Sequence, residues 1–98
     1  MNLPLVFRSE ARTEFDSAAD WYEQQRLGLG VEFVGKVQIV VDQIQQMPAL
    51  FPVVFRDVRQ TVVRRFPYSV LYRVESEQIL IVAVFHSRRD PAVWKVRL

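Results

Sequence analysis

The sequence predicts an α+β fold with the element order β-α-α-β-β-β, in which an N-terminal helical hairpin packs on an antiparallel sheet. Two observations predict it. Apolar residues recur at helical spacing through the first half of the chain, and valine-rich runs of strand length fill the second half. Because 98 residues suffice for one hydrophobic core and are too few for two, we expect a single domain over residues 1–98.

The first strand is predicted to be short, since Leu3, Leu5 and Phe7 alternate with other residues and Pro4 suits a sheet edge. A helix near residues 10–26 follows, with Ser9 as its N-cap. Its apolar residues are spaced three or four apart, on one face: Ala11, Phe15, Ala18 and Tyr22. Its acidic residues are predicted to face solvent: Glu14, Asp16, Asp20 and Glu23.

A second helix is predicted near residues 31–47, where Phe33, Val37, Val40, Ile44 and Met47 repeat at the same spacing. Glycine adopts left-handed backbone conformations without strain, so Gly28 and Gly30 are predicted to end the first helix. Pro48 ends the second. Two amphipathic helices joined by a short turn form a hairpin that needs a sheet to cover its apolar stripe.

Three strands are predicted in the second half. The first runs from about Arg56 to Phe66, and the segment Phe66-Pro67-Tyr68 turns the chain into the second, residues 69–75, which alternates apolar and polar residues. The third, residues 79–85, is apolar without interruption, which predicts burial on both faces in the sheet interior.

Several functional classes are disfavoured by composition. The absence of cysteine excludes a disulfide framework, a thiolate zinc site and a cysteine nucleophile. There is no phosphate loop, paired-histidine spacing or serine-hydrolase elbow, so neither a metal nor a cofactor is expected. No secretion signal or membrane-spanning run is present, and we expect a cytoplasmic protein without a membrane partner.

Charge divides the chain. Residues 1–50 hold four basic and seven acidic side chains, a net charge of −3, whereas residues 51–98 hold nine basic and four acidic ones, a net charge of +5. Eight of those nine basic residues are arginine, which binds carboxylates and phosphates with two parallel hydrogen bonds. Two interpretations stay open: an acidic or phosphate-bearing partner for the second half, or strand faces that carry arginine toward solvent.

One cluster could support chemistry. The single histidine, His86, ends the apolar strand and is followed by Arg88, Arg89, Asp90 and Trp94. A histidine that exchanges protons and an arginine that stabilises phosphate could cleave RNA. The structural alternative is that His86 bonds to backbone, Arg88 or Arg89 pairs with Asp90, and Trp94 packs as an apolar lid.

Arg64 and Arg65 form a second basic group beside Phe66 and Tyr68. Basic residues with aromatic neighbours can follow a nucleic-acid backbone and stack on its bases. A domain of this size also needs aromatic residues to fill its core, and Phe66 and Tyr68 fit that role.

The sequence resembles the ParE/RelE superfamily of toxins from bacterial type II toxin–antitoxin systems. Three stretches carry the resemblance: Ala19-Asp20-Trp21-Tyr22-Glu23, residues 65–74 with their Phe-Pro-Tyr turn, and residues 81–91 with the closing His86-Ser87-Arg88-Arg89-Asp90-Pro91. The resemblance implies the same β-α-α-β-β-β architecture. It also implies one of two activities, because RelE-like members are ribosome-dependent endoribonucleases and ParE-like members inhibit DNA gyrase without being nucleases.

The nuclease branch carries lysines on the strand before the turn and an arginine directly after the turn tyrosine. Here Gln60 and Val62 occupy the strand and Ser69 follows Tyr68, while Arg88 matches a later family arginine. A family tyrosine near the C-terminus corresponds to Trp94, which has no phenol. Most of the nuclease set is therefore missing, although Arg64 and Arg65 lie nearby in sequence.

The resemblance therefore favours a ParE-like toxin that inhibits DNA gyrase, is neutralised by a cognate antitoxin protein and is not itself an enzyme. The residues predicted to bind partners are arginines and one tryptophan: Arg64, Arg65, Arg88, Arg89 and Trp94. The first alternative is an mRNA interferase that acts on ribosome-bound mRNA through Arg65, His86 and Arg88. The second is a non-toxic relative that only binds antitoxin.

Overall fold

A computed structural model describes residues 2–98. The α+β class and the N-terminal helical hairpin are confirmed. The elements in chain order are β1 (Leu5–Phe7), α1 (Ser9–Gln25), α2 (Leu29–Gln46), β2 (Val53–Phe55), β3 (Val58–Val62), β4 (Tyr68–Val74), β5 (Ile79–His86) and α3 (Ala92–Lys95). Compared with the sequence prediction, the chain contains one more strand and one more short helix.

The five strands form one sheet in the order β1-β5-β4-β3-β2. All neighbours are antiparallel except β1, which runs parallel to β5 with Leu5 opposite Ile79 and Phe7 opposite Ile81. The sheet is therefore mixed, whereas the sequence predicted an antiparallel one. The helices α1 and α2 and three strands separate β1 from β5 along the chain. After a connection of that length, β5 can run either parallel or antiparallel to β1.

The strand predicted from about Arg56 to Phe66 is present but shorter, as β3, and an unpredicted strand, β2, precedes it. The chain turns tightly at Arg56 and Asp57, where Arg56 adopts a φ of 52°, so β2 and β3 form a hairpin. Left-handed backbone at a residue other than glycine leaves little signal in sequence, because arginine is not enriched there.

The helix ends differ in detail from the prediction. Gly28 has a φ of 88° at the turn between the helices, as predicted. Gly30 instead lies in the first turn of α2, where a Cβ would stand 2.5 Å from the carbonyl oxygen of Ala19 in α1. Ser9 is the first helical residue of α1, and Arg8 occupies the N-cap position without a capping side chain.

The sheet has an apolar core on each face. The inner core lies between the helices and the sheet and includes Phe33, Ile44 and Tyr72. The outer core lies on the opposite face, where Trp94 and Phe55 cover Val82 and other sheet residues. The strand β5 contributes to both cores, and its predicted burial on two faces is confirmed.

Two acidic residues that were predicted to face solvent, Glu23 and Glu14, instead form hydrogen bonds within the fold. The carboxylate of Glu23 accepts hydrogen bonds from the backbone N–H groups of Gly28 and Gly30, at 2.8 and 2.9 Å, and so joins the end of α1 to the start of α2. These bonds, led by the one from Gly28, hold the pKa of Glu23 below its ordinary value. Glu14 bonds to β5 and to two arginines, as described below.

Candidate functional site

Four of the predicted binding residues lie in two neighbouring loops at one end of the sheet. The first loop joins β3 to β4 and holds Arg64 and Arg65, and the second follows β5 and holds Arg88 and Arg89. The strand pair Tyr68–His86 brings the loops together, and the backbone N–H of Ser87 donates to the carbonyl of Pro67 at 2.8 Å. We call these four residues the arginine end.

The arginines of this end differ in what they contact. Arg64, Arg65 and Arg88 are exposed and form no ion pair within residues 2–98. Arg89 is held, since its guanidinium donates to Glu14 at 3.0 Å and lies 4.3 Å over the ring of Phe85. Three cations are therefore free to meet an anionic partner, and the fourth is part of the fold.

The predicted ion pair between Asp90 and Arg88 or Arg89 is wrong. The carboxylate of Asp90 accepts the backbone N–H of Ala92 at 3.0 Å, at the start of α3. An acidic side chain satisfies the otherwise unpaired N–H groups at a helix start, and here that role outweighs pairing with a neighbouring arginine.

Trp94 does not lie on an accessible surface. Its side chain is 4% exposed in the outer core, and its ring meets Phe55 edge-on with the centroids 6.0 Å apart. Two roles were considered for Trp94, a partner-binding residue and an apolar lid. The structure shows it as a lid over the sheet. A tryptophan buried this deeply cannot reach a partner unless α3 moves.

His86 is anchored to the backbone beside it. Its Nδ1 accepts the N–H of Arg88 at 3.0 Å, and its ring meets Tyr68 edge-on at 5.1 Å. Because a backbone N–H can only donate, Nδ1 acts as the acceptor of this bond. His86 therefore hydrogen-bonds to backbone, as the structural alternative predicted.

Two concave regions meet at His86. The first, of about 370 Å³, lies between α1 and the sheet, with Trp21 and Tyr68 among its walls and with Arg89 at its rim. We call it the α1 groove. Trp21 is 56% exposed there, and burial raises the pKa of the Tyr68 phenol, which therefore stays protonated at neutral pH. The α1 groove presents aromatic surface, and Glu14 and His86 also line it.

The second concave region is a cleft of about 220 Å³ on the outer face of the sheet. Gln60 and Ser69 line it, which are two of the three positions, with Val62, at which the resemblance to the nuclease branch would imply cationic residues. The Gln60 amide donates to the Ser69 hydroxyl at 3.1 Å, so these two groups satisfy each other. No lysine lines the cleft, but Arg89 and His86 do, together with the apolar side chains of Leu71, Phe85 and Trp94.

Sequence reasoning missed the pair formed by Glu14 and Arg97. The Glu14 carboxylate accepts hydrogen bonds from both terminal nitrogens of the Arg97 guanidinium, at 2.7 and 3.0 Å, and from the backbone N–H of Val84. Arg97 donates in addition to the carbonyl of Val82. The hydrogen bond to Glu14 raises the pKa of Arg97. Together the two side chains hydrogen-bond to backbone groups of β5 that lie beyond its last residue paired with β1.

Residues 2–98 contain no cluster of three histidine, cysteine, aspartate or glutamate side chains that could bind a metal ion. Over the same residues, no helix combines the length and the apolar character that crossing a bilayer requires.

Comparisons with known proteins bear on this arrangement. The family model described as "ParE toxin of type II toxin-antitoxin system, parDE" matches residues 5–91. A chain of the solved "Chromosomal ParDE TA system from P. aeruginosa" superposes with a TM-score of 0.73 at 24% identity, over 86% of this chain and 95% of that chain. No curated protein matches. Since the family model spans β1 through the loop after β5, the chain belongs to the ParE toxin family of type II toxin–antitoxin systems.

Proposed function

We propose that this member of the ParE toxin family acts in the cytoplasm by binding and inhibiting DNA gyrase, and that a cognate antitoxin protein neutralises it. Family membership supports a toxin role, and the sequence resemblance to the ParE-like branch supports gyrase as the target. The proposed activity is inhibition by binding, without chemistry carried out by the toxin.

The observation that carries this proposal is the content of the outer cleft. Cleaving RNA requires a group that takes the proton of the 2′-hydroxyl and a cation that stabilises the charged phosphate. Gln60 and Ser69 line the cleft and are bonded to each other, and neither an amide nor a hydroxyl performs those tasks at neutral pH. Arg89 also lines the cleft, but its guanidinium is already paired with Glu14. His86 lines it too, and its Nδ1 is occupied by the Arg88 N–H. These contacts favour binding over cleavage.

The arginine end is the surface we propose for the target. Arg64, Arg65 and Arg88 project from adjacent loops without intramolecular carboxylates to neutralise them, within the described chain. Arginine is enriched among the residues that dominate binding energy, and its planar guanidinium forms paired bonds with carboxylate or phosphate. An acidic surface on gyrase would meet these cations directly.

The antitoxin is proposed to cover the same end. An acidic, partly disordered segment can order on binding and spread over a large surface. The α1 groove offers Trp21 for apolar side chains, and the arginine end lies next to it for carboxylates. An antitoxin placed in this way would exclude gyrase by occupying the same cations.

Purified protein tests the proposal in two assays run side by side. One measures supercoiling by gyrase, and the other measures cleavage of ribosome-bound mRNA. We expect loss of supercoiling activity with intact mRNA. The double variant Arg64→Glu/Arg88→Glu should lose at least tenfold in inhibitory potency, because two attractive contacts become repulsive.

The matched control is Arg56→Glu. Arg56 is an exposed arginine in the β2–β3 turn, at the opposite end of β3 from Arg64, and its reversal should leave inhibition unchanged. Codon-specific mRNA cuts with normal gyrase activity would instead identify an interferase that uses Arg65, His86 and Arg88. No effect in either assay, together with binding to the product of a neighbouring reading frame, would identify a non-toxic antitoxin-binding relative.

A further inference from the structure

Two residues other than glycine adopt a left-handed backbone conformation within residues 2–98, and both are arginines. Arg56 has a φ of 52° in the turn between β2 and β3, and Arg65 has a φ of 70° in the loop between β3 and β4. In this conformation the Cβ atom crowds the following carbonyl oxygen, so an ordinary side chain is strained where glycine is not. Strain of this kind persists where a contact of the side chain or the surrounding fold compensates for it.

The two arginines differ in the contacts that their side chains make. The Arg56 guanidinium lies 5.1 Å from the centroid of the Phe55 ring, a cation–π contact that stabilises the turn. Arg65 is exposed, and its side chain forms no hydrogen bond, no ion pair and no contact over an aromatic ring within residues 2–98. The guanidinium of Arg65 therefore makes no contact in its own fold that offsets the strain of its backbone.

The backbone of Arg65 is held in place from both sides. Val63 is 3% exposed, and its N–H donates to the carbonyl of Tyr68 at 2.9 Å. Phe66 packs against the inner core and meets the Phe33 ring edge-on, with the centroids 5.1 Å apart. These contacts fix the loop without using the side chain at position 65. A rigid loop therefore presents the arginine to solvent, and a partner that binds it has little chain to order.

We propose that Arg65 is the principal contact of the arginine end with DNA gyrase, and that it binds a carboxylate on an acidic protein surface of that enzyme. This inference rests on the proposed function and names the residue through which it acts. A guanidinium forms two parallel hydrogen bonds with a carboxylate. The unpaired cations Arg64 and Arg88 lie in the same loop and in the neighbouring one, and they add attraction for an acidic surface. The contact with gyrase supplies the compensation that Arg65 lacks within its own chain.

Apolar surface close to Arg65 favours a protein rather than a nucleic acid as the occupant. Val62, the last residue of β3, is 63% exposed although its side chain is aliphatic. A protein can cover that side chain with apolar groups of its own, whereas a phosphate backbone offers it none. The expected target surface therefore combines carboxylates with apolar side chains.

Substitutions at position 65 separate the effect of the backbone from that of the side chain. Asparagine adopts the left-handed conformation more readily than arginine, so Arg65→Asn should raise the melting temperature by roughly 2–6 °C. At least tenfold more of this variant should be needed to inhibit supercoiling, because the guanidinium is lost. Arg65→Lys keeps the strain and the charge but not the paired hydrogen bonds. It should melt with the wild type and lose several-fold in inhibitory potency.

The matched control is Arg56→Asn, which makes the same change in the same backbone conformation at the opposite end of β3. It should leave inhibition unchanged, and its melting temperature should rise less, because the contact with Phe55 is lost. An Arg65→Asn protein that inhibits gyrase as strongly as the wild type would overturn the inference. So would one that melts below the wild type, because the Arg65 side chain would then support the fold.

Binding assays at a fixed salt concentration identify the group that Arg65 contacts. One measures affinity for gyrase without DNA, and the other measures affinity for duplex DNA alone. We expect Arg65→Asn to weaken binding to gyrase at least tenfold, and a loss confined to duplex DNA would overturn the assignment of a carboxylate. If the wild type leaves gyrase active, the proposed function and this inference fail together. If the wild type and Arg65→Asn inhibit gyrase equally, only this inference fails.

Discussion

The Glu14 carboxylate and the Arg97 guanidinium lie 2.7 Å apart, although 83 positions separate these residues along the chain. Glu14 projects from α1 on the inner face of the sheet, and Arg97 follows α3, which covers the outer face. Both side chains are about one-tenth exposed, at 11% and 10%. The pair connects the two layers around the edge of β5.

Removing Arg97 should destabilise the fold. In Arg97→Ala the Val82 carbonyl loses its donor and Glu14 keeps only Arg89 and the Val84 N–H, so we expect a loss of about 2 kcal/mol in the free energy of unfolding. Urea unfolding measures this. The control is Arg26→Ala, whose exposed pair with Glu32 should contribute less than about 0.5 kcal/mol. Equal stability of the two variants would show that the buried pair adds nothing.

Alanine at the two glycines of α2 should act in opposite directions. Gly30→Ala places a Cβ 2.5 Å from the Ala19 carbonyl oxygen, which must force the helices apart and should cost about 2 kcal/mol or more. Gly35→Ala meets no atom within 4 Å and should stabilise the folded protein by roughly 0.5–1 kcal/mol. Thermal unfolding at low protein concentration compares them. A stable Gly30→Ala protein would contradict the close helix approach.

His86 should be dispensable for toxicity. An asparagine side chain can place its carbonyl oxygen near the position of Nδ1 and accept the Arg88 N–H, but it cannot exchange protons at neutral pH. We therefore expect His86→Asn to retain most growth inhibition in a cell viability assay, with His86→Ala somewhat weaker through loss of the loop contact. A loss of orders of magnitude in both variants, with the fold intact by circular dichroism, would favour proton transfer and hence RNA cleavage.

Acid should weaken the helical hairpin through Glu23. Its pKa is lower in the folded protein than in the unfolded chain, chiefly because the Gly28 N–H bonds to the carboxylate. Its contribution is therefore complete above the ordinary glutamate pKa of about 4.3 and is lost as the pH falls from there through the lower pKa of the folded protein. Stability measured across that range should fall less steeply in Glu23→Gln than in the wild type. Identical slopes would exclude this role.

The features that could be predicted from sequence depend on local patterns. The apolar spacing from Phe33 to Ile44 identifies α2, and the unbroken run from Ile79 to Phe85 identifies a strand buried on both faces. Each signal lies within about 12 residues and reflects burial of one face or of two. The Phe-Pro-Tyr turn and the loop after β5 were also placed by sequence, and with them the positions of the arginine end.

The features that were missed depend on distant partners or on unusual backbone. Glu14 lies on the polar side of its helix. Only the folded structure, which brings Arg97 beside it, shows that it forms an ion pair. Trp94 could be predicted from sequence either as a binding residue or as an apolar lid. Only its contact with Phe55 in the outer core decides between the two roles. The β2–β3 turn was missed because Arg56 adopts a left-handed backbone conformation, which an arginine in the sequence does not predict.

The position of β5 between β1 and β4 has a consequence for synthesis on the ribosome. The helices α1 and α2 and four of the strands precede β5, yet the inner core cannot close until Ile79, Ile81 and Val84 have been added. The parallel contact with β1 and the bond from Glu14 to Arg97 join segments made early to segments made late. Contacts between distant segments form slowly because a long loop must close first. A nascent chain that ends before β5 therefore has both helices but no folded domain, and the arginine end assembles only after β5 and the loop behind it have left the exit tunnel.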